Sequence, residues 1–351
     1  MAESITGLDI GGAHLKAAQV SPAGRILTAI QVPCTLWLGL EHLRHALALA
    51  TARLAPVGRV AITMTGELAD LFPDRATGVA RLCATVATAM PEAEQHVWAG
   101  RLGFLEPARV PGHETAVASA NWLASATLAA ERAGQGLFVD LGSTTTDILV
   151  MADGDVRAEG MTDRERLATG ELVYTGLVRT PLMTLATAAP FAGRWVTLAN
   201  ELFATMADAH RLAGSLPEEA DQHATADGQA KTETASAHRL ARMIGADFAD
   251  GSMDDWRRLA GWFVRRQQRR IEDAVALQES RGLLAADAPL VGAGCGRFLL
   301  ERLADTLGRP YRDFASLLDV EPPAAAWAST CAPAVAVALL HAQGTVGRDD
   351  R

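Results

Sequence analysis

One short motif occurs twice in this chain, and it limits the folds open to the rest of the sequence. The two copies are Gly7–Lys16 (GLDIGGAHLK) and Leu137–Val150 (LFVDLGSTTTDILV). In each copy apolar residues lead into an aspartate, a Gly or Gly/Ser/Thr turn follows, and a second run returns. This pattern predicts a β-hairpin whose turn offers backbone N–H groups to an anion, because glycine permits close approach and successive N–H groups form an anion-binding nest. Two such turns predict two related half-domains that hold one phosphorylated ligand between them.

The first motif contains residue types that suit a phosphate and a metal ion. Gly11 and Gly12 free the turn backbone, and we expect them to bind phosphate together with Asp9 and His14. A single histidine such as His14 is at least as often a structural residue. Asp9, at the end of a strand, suits a hydrated Mg²⁺ ion, which prefers carboxylate, water and phosphate oxygens. Lys16 is expected to neutralise phosphate charge, and an ordinary hairpin with a lysine on its rim is the alternative.

The second motif carries more hydrogen-bond donors than the first. Its turn offers hydroxyl and backbone donors together, and it predicts an anion site made of Asp140, Gly142, Ser143, Thr144, Thr145 and Thr146. Asp147 then points back toward the ligand as a metal partner or a base. The N-terminal counterpart favours this interpretation over a polar turn without a ligand.

A third glycine-rich segment, Gly292–Gly296 (GAGCG), follows a predicted strand and opens a predicted helix. A helix N-terminus of this kind suits a nucleotide or another anion. Gly292, Gly294 and Gly296 therefore join the predicted phosphate-binding residues. A Rossmann site is disfavoured, because the motif reads GxGxG instead of GxGxxG and lies near the C-terminus instead of in a first βαβ unit.

Composition and charge exclude several classes of protein. The chain has 351 residues, of which 49% are hydrophobic, and a formal net charge of −9. It is therefore expected to be globular and long enough for two domains, and it is a poor candidate for nucleic-acid binding. A basic cluster on a predicted helix is typical of a solvated face; its members are Arg265, Arg266, Arg269 and Arg270.

Cysteine usage and the lack of targeting signals predict a cytoplasmic protein. The four cysteines, Cys34, Cys83, Cys295 and Cys331, form no CxxC pair, so we expect reduced thiols. The first residues lack a basic segment followed by an apolar core, which argues against a secretory signal. No apolar run of about 18 residues occurs, and the alanine-rich segment 116–133 is expected to be a buried helix, so we expect no membrane contact.

Hydrophobic periodicity predicts the remaining elements. Strands are expected within residues 4–31, at Arg59–Met64 and at Leu290–Val291; the expected helices are Glu41–Leu54, Glu114–Ala133, Ser236–Ile244, Met253–Ser280, Arg297–Leu307 and Cys331–Ala342. Residues 161–235 are the least regular part, and 215–231 are expected to form a long polar loop. The core is expected to contain Trp195, Trp256 and Trp262.

The three glycine-rich motifs, in this order, resemble those of the actin / sugar kinase / Hsp70 superfamily. The resemblance implies an α/β fold of two ribonuclease H-like domains with a central cleft, in which the hairpins are phosphate loops and GAGCG is the adenosine loop. Residues 1–133 are expected to form the N-terminal domain, with the helix at 331–343 packed back on it. Residues 134–330 are expected to form the second domain, with an irregular substrate-selecting insertion at about 161–252.

A narrower resemblance covers nearly the whole chain. It rests on the segments GLDIGGAHLK, MTGELAD, NWLASA, FVDLGSTTTDI, GELVYTGLVRTP, NELFATMAD, EEADQHATADG and VGAGCGRFLLERLA. They are similar to hydantoinase/oxoprolinase-related proteins of tetrahydromethanopterin-linked C1 transfer. Archaeal relatives include an enzyme of methanofuran biosynthesis, which joins an aminomethylfuran-methyl diphosphate to the phenol oxygen of γ-glutamyltyramine and releases diphosphate. The resemblance therefore implies a transferase that acts on a phosphorylated furan and a phenolic acceptor.

The resemblance also gives roles to residues of the middle segments. Those expected to contact substrate are Asn121, Glu171, Tyr174, Arg179, Asn200, Asp208, Asp221 and His223. Asn200 and Asp208 have the spacing of one helical face, and the region from Arg179 to Asp221 is expected to select the acceptor. A surface loop remains the alternative for the segment around Asp221 and His223, and a structural role remains the alternative for His113.

In the implied reaction, Mg²⁺ near Asp9 and Asp147 stabilises the leaving diphosphate together with Lys16 and the threonine turn. The catalytic candidates are Asp147, Glu67 and Lys16; Glu67 or Asp147 takes the phenol proton, and Glu67 or Asp70 is expected to face the cleft. Three alternatives stay open: an ATP-dependent small-molecule kinase, an ATP-coupled amidohydrolase and a non-enzymatic nucleotide switch. A homo-oligomer is compatible with the sequence.

Overall fold

The computed structural model describes residues 4–55 and 57–344. The first three residues of the expected N-terminal domain, residue 56 within it, and residues 345–351 lie outside the described part. Two large sheets each contain one of the repeated hairpins, and a third sheet has two strands.

The first sheet places its hairpin in the middle. Its strands are β1 (Ile5–Ile10), β2 (His14–Val20), β3 (Ile26–Pro33), β4 (Arg59–Met64), β5 (Glu94–Trp98) and β6 (Phe104–Leu105), in the order β3-β2-β1-β4-β5-β6. β1 pairs antiparallel with β2 and parallel with β4. It is buried along its whole length, as its apolar sequence requires, and its register sets Asp9 opposite Lys16.

The second sheet repeats this hairpin. The remaining strands are β7 (Gly136–Leu141), β8 (Thr146–Ala152), β9 (Asp155–Val156), β10 (Leu172–Val173), β11 (Ala188–Phe191), β12 (Arg194–Thr197), β13 (Leu290–Ala293) and β14 (Tyr311–Asp313). The order is β10-β8-β7-β13-β14, with β9 on β8, while β11 and β12 form the two-stranded sheet. The β7–β8 register sets Asp140 opposite Asp147, so both hairpins carry an ionisable pair at the same place.

Helices cover these sheets and fill the space between them. They are α1 (Leu40–Thr51), α2 (Arg75–Ala89), α3 (Glu114–Val117), α4 (Asn121–Ala133), α5 (Asp163–Thr169), α6 (Met206–Leu212), α7 (Glu233–Met243), α8 (Met253–Glu279), α9 (Arg297–Leu307), α10 (Pro322–Ala328) and α11 (Ala332–Ala342). α8 begins at a capping box formed by Ser252 and Asp255, which satisfies two backbone donors. Apolar side chains of one face of α8 are buried, Trp256 and Phe263 included.

A shared core joins the two sheets. α11 lies against β1, β2 and β4, while α4 contacts both α11 and the strands β7–β9. The C-terminal helix therefore lies on the first sheet; the domain boundaries themselves stay a prediction. Gly7 makes the α11 contact possible, because a Cβ at this position would overlap the backbone oxygen of Ala334.

Two predicted elements differ in the structure. The single helix expected at Glu114–Ala133 is wrong, because the chain leaves the helical conformation at Ser119, whose φ is +52°, and α4 starts only at Asn121. The segment 161–235 is more regular than expected, since it contains two helices and three strands between 161 and 213.

One tryptophan of the middle segment, expected in the core, lies at the surface instead. Trp195 lies on β12 and is 70% exposed, whereas Trp256 is fully buried. The ring of Trp195 meets that of Trp262, with 6.0 Å between the ring centroids, and most of its surface faces solvent. The acidic and polar stretch 215–231 is a loop, as predicted.

The structure describes the thiols and the apolar character of the helices. All four cysteines are free. In residues 4–55 and 57–344, no single helix combines the length and apolar character needed to cross a membrane, and α10 and α11 pass that test only as a pair bent by 119°.

The packing of α11 on β1 gives a stability prediction. Gly7→Ala is expected to lower the free energy of unfolding by about 1–3 kcal/mol, because the added methyl group forces the helix away from the strand. Urea denaturation of the purified chain measures this. Gly261→Ala in α8 is the matched control: its Cβ meets only the flexible end of Arg265 at 3.5 Å, so helix propensity should raise stability slightly. Equal effects of the two substitutions would contradict the close approach.

Candidate active site

The two hairpins bring four ionisable side chains together at the bottom of the cleft, and we call Asp9, Lys16, Asp140 and Asp147 the cleft floor. Lys16 Nζ lies 3.5 Å from Asp9 Oδ2, and the field of Lys16 also acts on Asp140. Asp9 and Asp140 are 2% and 7% exposed, so little water screens these charges.

Burial and mutual repulsion control protonation of the cleft floor. Burial raises the pKa of Asp140 to about 7; Lys16 opposes this shift, and Asp147 and Asp9 add to it. Burial likewise raises the pKa of Asp9, against the effect of Lys16. Burial alone would lower the pKa of Lys16, but the carboxylates of Asp9 and Asp140 outweigh it and raise that pKa. Lys16 therefore stays protonated in the cleft floor. Its single positive charge is too small to balance the three carboxyl groups around it.

The two turns above the floor close in the same way. Gly11 N donates to His14 O, and Gly142 N donates to Thr145 O, each at 2.9 Å. At Gly12 a Cβ would meet no atom within 4 Å, so this turn opens into the cleft. Four residues of the second turn are partly exposed and available to a ligand: Gly142, Ser143, Thr144 and Thr145.

The third glycine-rich segment reaches the same place. Gly294 has a φ of +84°, and a Cβ there would overlap both Asp140 Oδ1 and the carbonyl oxygen of Leu141. Gly296 N donates to Leu141 O at 2.9 Å. The structure thus brings Gly294 and Gly296 to the end of β7. Gly292 is a correction: it lies within β13, where the ring of Tyr311 occupies the space that a side chain would need.

Asp147 has a strong partner that the sequence did not reveal. Arg166 Nη2 lies 2.7 Å from Asp147 Oδ1, and the arginine side chain is only 1% exposed. The guanidinium also stands 4.0 Å from the centre of the Trp122 ring. A carboxylate held this way is a fixed negative charge, which suits a metal or electrostatic role better than that of a free base.

Glu67 lies in a different polar cluster beside the first turn. It is 1% exposed, and burial raises the pKa of its carboxyl group, against a hydrogen bond from Ser119. Ser119 Oγ lies 2.8 Å from Glu67 Oε1 and 3.0 Å from Asp163 Oδ2, and Arg75 pairs with Asp163 at 2.9 Å. Glu67 Oε2 is buried without a partner. Asp70, the other expected cleft residue, is exposed.

Two further residues near the floor have different outcomes. Asn121 Nδ2 lies 3.5 Å from Asp9 Oδ1, so it belongs to the site. Thr146 is fully buried and its hydroxyl donates to Thr175 O at 2.7 Å. This hydroxyl therefore serves the fold, which corrects its expected role as a phosphate donor.

Three carboxylates expected to bind substrate have structural partners instead. Glu171 is fully buried and accepts from the backbone N–H groups of residues 159 and 160. Asp208 accepts from Arg239 at 2.7 Å, and Asp221 pairs with Arg211. Because these oxygens are already engaged by hydrogen bonds inside the second half of the chain, the structure corrects their expected role as substrate contacts.

The remaining predicted contacts divide into two groups. Tyr174 is 59% exposed, and Asn200 is exposed and precedes α6 by several residues; the helical face expected for Asn200 does not exist. Arg179 and His223 instead lie beside the first turn: the rings of His14 and His223 are 4.6 Å apart. His113 bonds the Arg109 carbonyl oxygen and is structural.

Comparison with known proteins identifies the family to which the chain belongs. The family model described as Hydantoinase/oxoprolinase matches residues 59–343. A curated protein of Methanocaldococcus jannaschii, (4-{4-[2-(gamma-L-glutamylamino)ethyl]phenoxymethyl}furan-2-yl)methanamine synthase, is 33% identical over 69% of this chain and 72% of its own length. A protein of the same name from Methanococcus vannielii is 34% identical over 34% of this chain and 53% of its own length. The chain belongs to the hydantoinase/oxoprolinase family.

Among the solved structures compared, that of an acetone carboxylase confirms the predicted fold. A nucleotide-free acetone carboxylase structure superposes on 95% of this chain and 70% of its own with a TM-score of 0.57 at 11% identity. The component A of (R)-2-hydroxyglutaryl-CoA dehydratase from Acidaminococcus fermentans covers 97% of this chain and 98% of its own, with a TM-score of 0.46 at 12% identity.

The cleft floor of this hydantoinase/oxoprolinase family member has the oxygen chemistry that suits Mg²⁺. In residues 4–55 and 57–344, no group of three or more His, Cys, Asp or Glu side chains is arranged to hold a metal by itself. Magnesium, however, commonly takes one or two carboxylates and completes its shell with water and phosphate oxygens. Burial raises the pKa of Asp9 and Asp140, and a divalent cation beside them would favour their ionised forms. These residues fit the ion as partners of a bound phosphate.

The burial of the Arg166–Asp147 pair predicts that replacing Arg166 lowers the free energy of unfolding more than replacing an exposed arginine does. Arg166→Met should lower the free energy of unfolding by about 3–5 kcal/mol, because it leaves a poorly hydrated carboxylate without its partner. Arg25→Met is the control, since Arg25 is 53% exposed where it pairs with Asp319, and should cost less than about 1 kcal/mol. Chemical denaturation measures both, and similar losses would show that the Arg166 pair is not special.

Proposed function

We propose that this chain forms the aryl ether bond of a methanofuran-type C1 carrier, by transfer of an aminomethylfuran-methyl group from its diphosphate to a phenol. The observation that supports this best is the pair of matched turns over Lys16, with the glycine-rich turn at Gly294 closing the same site. Such a site can hold a diphosphate leaving group between the sheets. The name of the archaeal relatives describes a product in which a phenol oxygen is bonded to a furylmethyl carbon.

The first step of the reaction is departure of the diphosphate, so the site must stabilise this leaving group before the phenol attacks. The bond between the furylmethyl carbon and the diphosphate oxygen breaks, and its electrons leave with diphosphate. Lys16 and the N–H and hydroxyl groups of the partly exposed residues Ser143–Thr145 would bind those oxygens, because fixed donors in a poorly hydrated site are most effective. Bound Mg²⁺ would supply further positive charge beside Asp9 and Asp147. The phenol oxygen then forms the new bond to the same carbon.

Glu67 is the better candidate than Asp147 to accept the phenol proton. Asp147 is ion-paired with Arg166 at 2.7 Å, whereas Glu67 Oε2 has no partner. The Ser119 hydroxyl has one hydrogen but lies within hydrogen-bond distance of both Glu67 and Asp163. One of these carboxyl groups must therefore hold a proton when both contacts are satisfied, and burial makes Glu67 that group. Above its pKa, Glu67 is an ionised base, and its buried Oε2, which has no partner, would accept the proton of a substrate bound against it.

A cavity beside the floor is suitable for the aromatic part of a substrate. Its volume is about 720 Å³, and its lining includes Cys295, Phe298, Tyr311 and Trp327. The charges of Lys16 and Asp140 act on the thiol of Cys295, so one end of the cavity lies near the cleft floor. Aromatic rings and a nearby anion site are what a furan or phenol ligand requires.

The direct test is to incubate the purified chain with Mg²⁺, a synthetic furfuryl diphosphate bearing the aminomethyl group, and γ-glutamyltyramine. We expect diphosphate release and ether formation in equal amounts. Mass spectrometry detects the ether. Omitting the phenol is the control for simple hydrolysis. ATP-dependent phosphorylation of the alcohol without ether formation would refute the transferase and favour a kinase. A deletion strain that keeps its furan cofactor would refute the pathway.

The role of Glu67 predicts a pH dependence. Its pKa is raised from 4.5 by burial, so kcat/KM should fall as the pH decreases through a value above 4.5, because the base becomes protonated. Glu67→Gln should reduce kcat about 100-fold or more and remove this acidic limb. Asp147→Asn is the matched variant: it should also lower kcat, but the limb should remain. Loss of the limb in Asp147→Asn alone would make Asp147 the base.

A further inference from the structure

The cleft contains a second group of polar side chains that the leaving-group chemistry above does not use. We define the Trp37 cluster as Trp37, Arg179, His14 and His223. Trp37 and His14 come from the first half of the chain, whereas Arg179 and His223 come from the second. The cluster therefore spans the cleft beside the first phosphate-type turn.

The backbone of Arg179 is held by a hydrogen bond, whereas its guanidinium group has no ion-pair partner among the described residues. Its backbone N donates to Ser143 O at 2.8 Å, which ties it to the second turn. Its guanidinium stands 4.8 Å from the centre of the Trp37 ring, a cation–π contact across the cleft. Among the residues that the structure describes, no carboxylate lies within ion-pair distance of this half-buried guanidinium. A desolvated cation without a counter-ion is an unusual arrangement unless a ligand supplies the anion.

Two imidazoles complete the arrangement. The rings of His14 and His223 lie 4.6 Å apart, and His223 lies 5.8 Å from Trp37. His14 is 4% exposed, and the Nε2 atoms of both rings are buried without a hydrogen-bond partner. Buried ring nitrogens normally have a partner, so two unsatisfied atoms beside an unpaired guanidinium indicate a missing polar ligand.

The local charges select the sign of that ligand. Lys16 and Arg179 both act on His14, and the nearby acid, Asp221, is already held by Arg211 and Lys231. Guanidinium and imidazole N–H groups bind oxyanions, with a planar or tetrahedral set of oxygens.

We propose that the Trp37 cluster binds a terminal oxyanion of a substrate, either the distal phosphate of the diphosphate or the carboxylate of the acceptor. The proposal rests on the proposed function for the identity of both ligands, the diphosphate and the acceptor, but not for the presence of an oxyanion site. Binding of one end of the substrate here would hold the two halves of the cleft around the reacting atoms, because the contacts come from both sides.

Isothermal titration calorimetry tests the site without requiring turnover. The wild-type chain, Arg179→Gln and Arg266→Gln are each titrated with inorganic diphosphate, with γ-glutamyltyramine and with N-acetyltyramine, which lacks the carboxylate. Arg266 is exposed on α8 and serves as the matched control. A tenfold or greater loss of diphosphate affinity in Arg179→Gln alone assigns the site to the distal phosphate. A comparable loss for γ-glutamyltyramine but not for N-acetyltyramine assigns it to the acceptor carboxylate.

Either of two results would overturn the proposal. Unchanged affinities for both anions in Arg179→Gln, or no binding of either anion to the wild-type chain, would show that the cluster is not an oxyanion site. His223→Gln, checked for folding by circular dichroism, should give the same pattern as Arg179→Gln and covers the case in which one variant misfolds. Because these are binding measurements, a chain that binds diphosphate through Arg179 but forms no ether would refute the proposed function and retain this site.

Discussion

The site depends on one ammonium group placed among buried carboxyl groups. Lys16 lies 3.5 Å from Asp9 and interacts with Asp140 across the cleft, where low hydration makes each charge costly alone. The ammonium reduces the repulsion among three aspartates that come from two separate sheets. The shared core of α4 and α11 brings the two strand ends together, and the ammonium lowers the electrostatic cost of that approach when the carboxyl groups are ionised.

A steric constraint explains why glycine is needed at the edge of the floor. At Gly294, a positive φ and close contact with Asp140 leave no room for a side chain. Glycine lets the backbone before α9 approach the end of β7. The third turn is thereby held against the second, and Cys295, the residue after Gly294, lines the neighbouring cavity.

The sequence predicted the parts of the site whose chemistry is local. A hairpin with Asp, Gly and Lys at fixed spacing needs only its own strands, so the positions of Asp9, Lys16 and Asp140 could be expected. Partners that arrive from distant elements could not. Arg166 lies on a seven-residue helix with no distinguishing pattern, and the position of Ser119 depends on a positive φ. Glu171 and Asp208 looked like site carboxylates because no local signal indicates which donor groups will occupy their oxygens in the fold.

The two hairpins share a backbone plan but differ in the residue opposite the aspartate. The first provides its own cation, Lys16; the second has Asp147 at the matching position and takes Arg166 from α5. The N-terminal residue of α5, Asp163, is bonded to Arg75 of the first half and shares the Ser119 hydroxyl with Glu67. The helix that fixes Asp147 is thus also the helix that joins the two halves beside Glu67. A change in the separation of the sheets would act on Asp147 and on Glu67 together, because both are connected through the same seven residues.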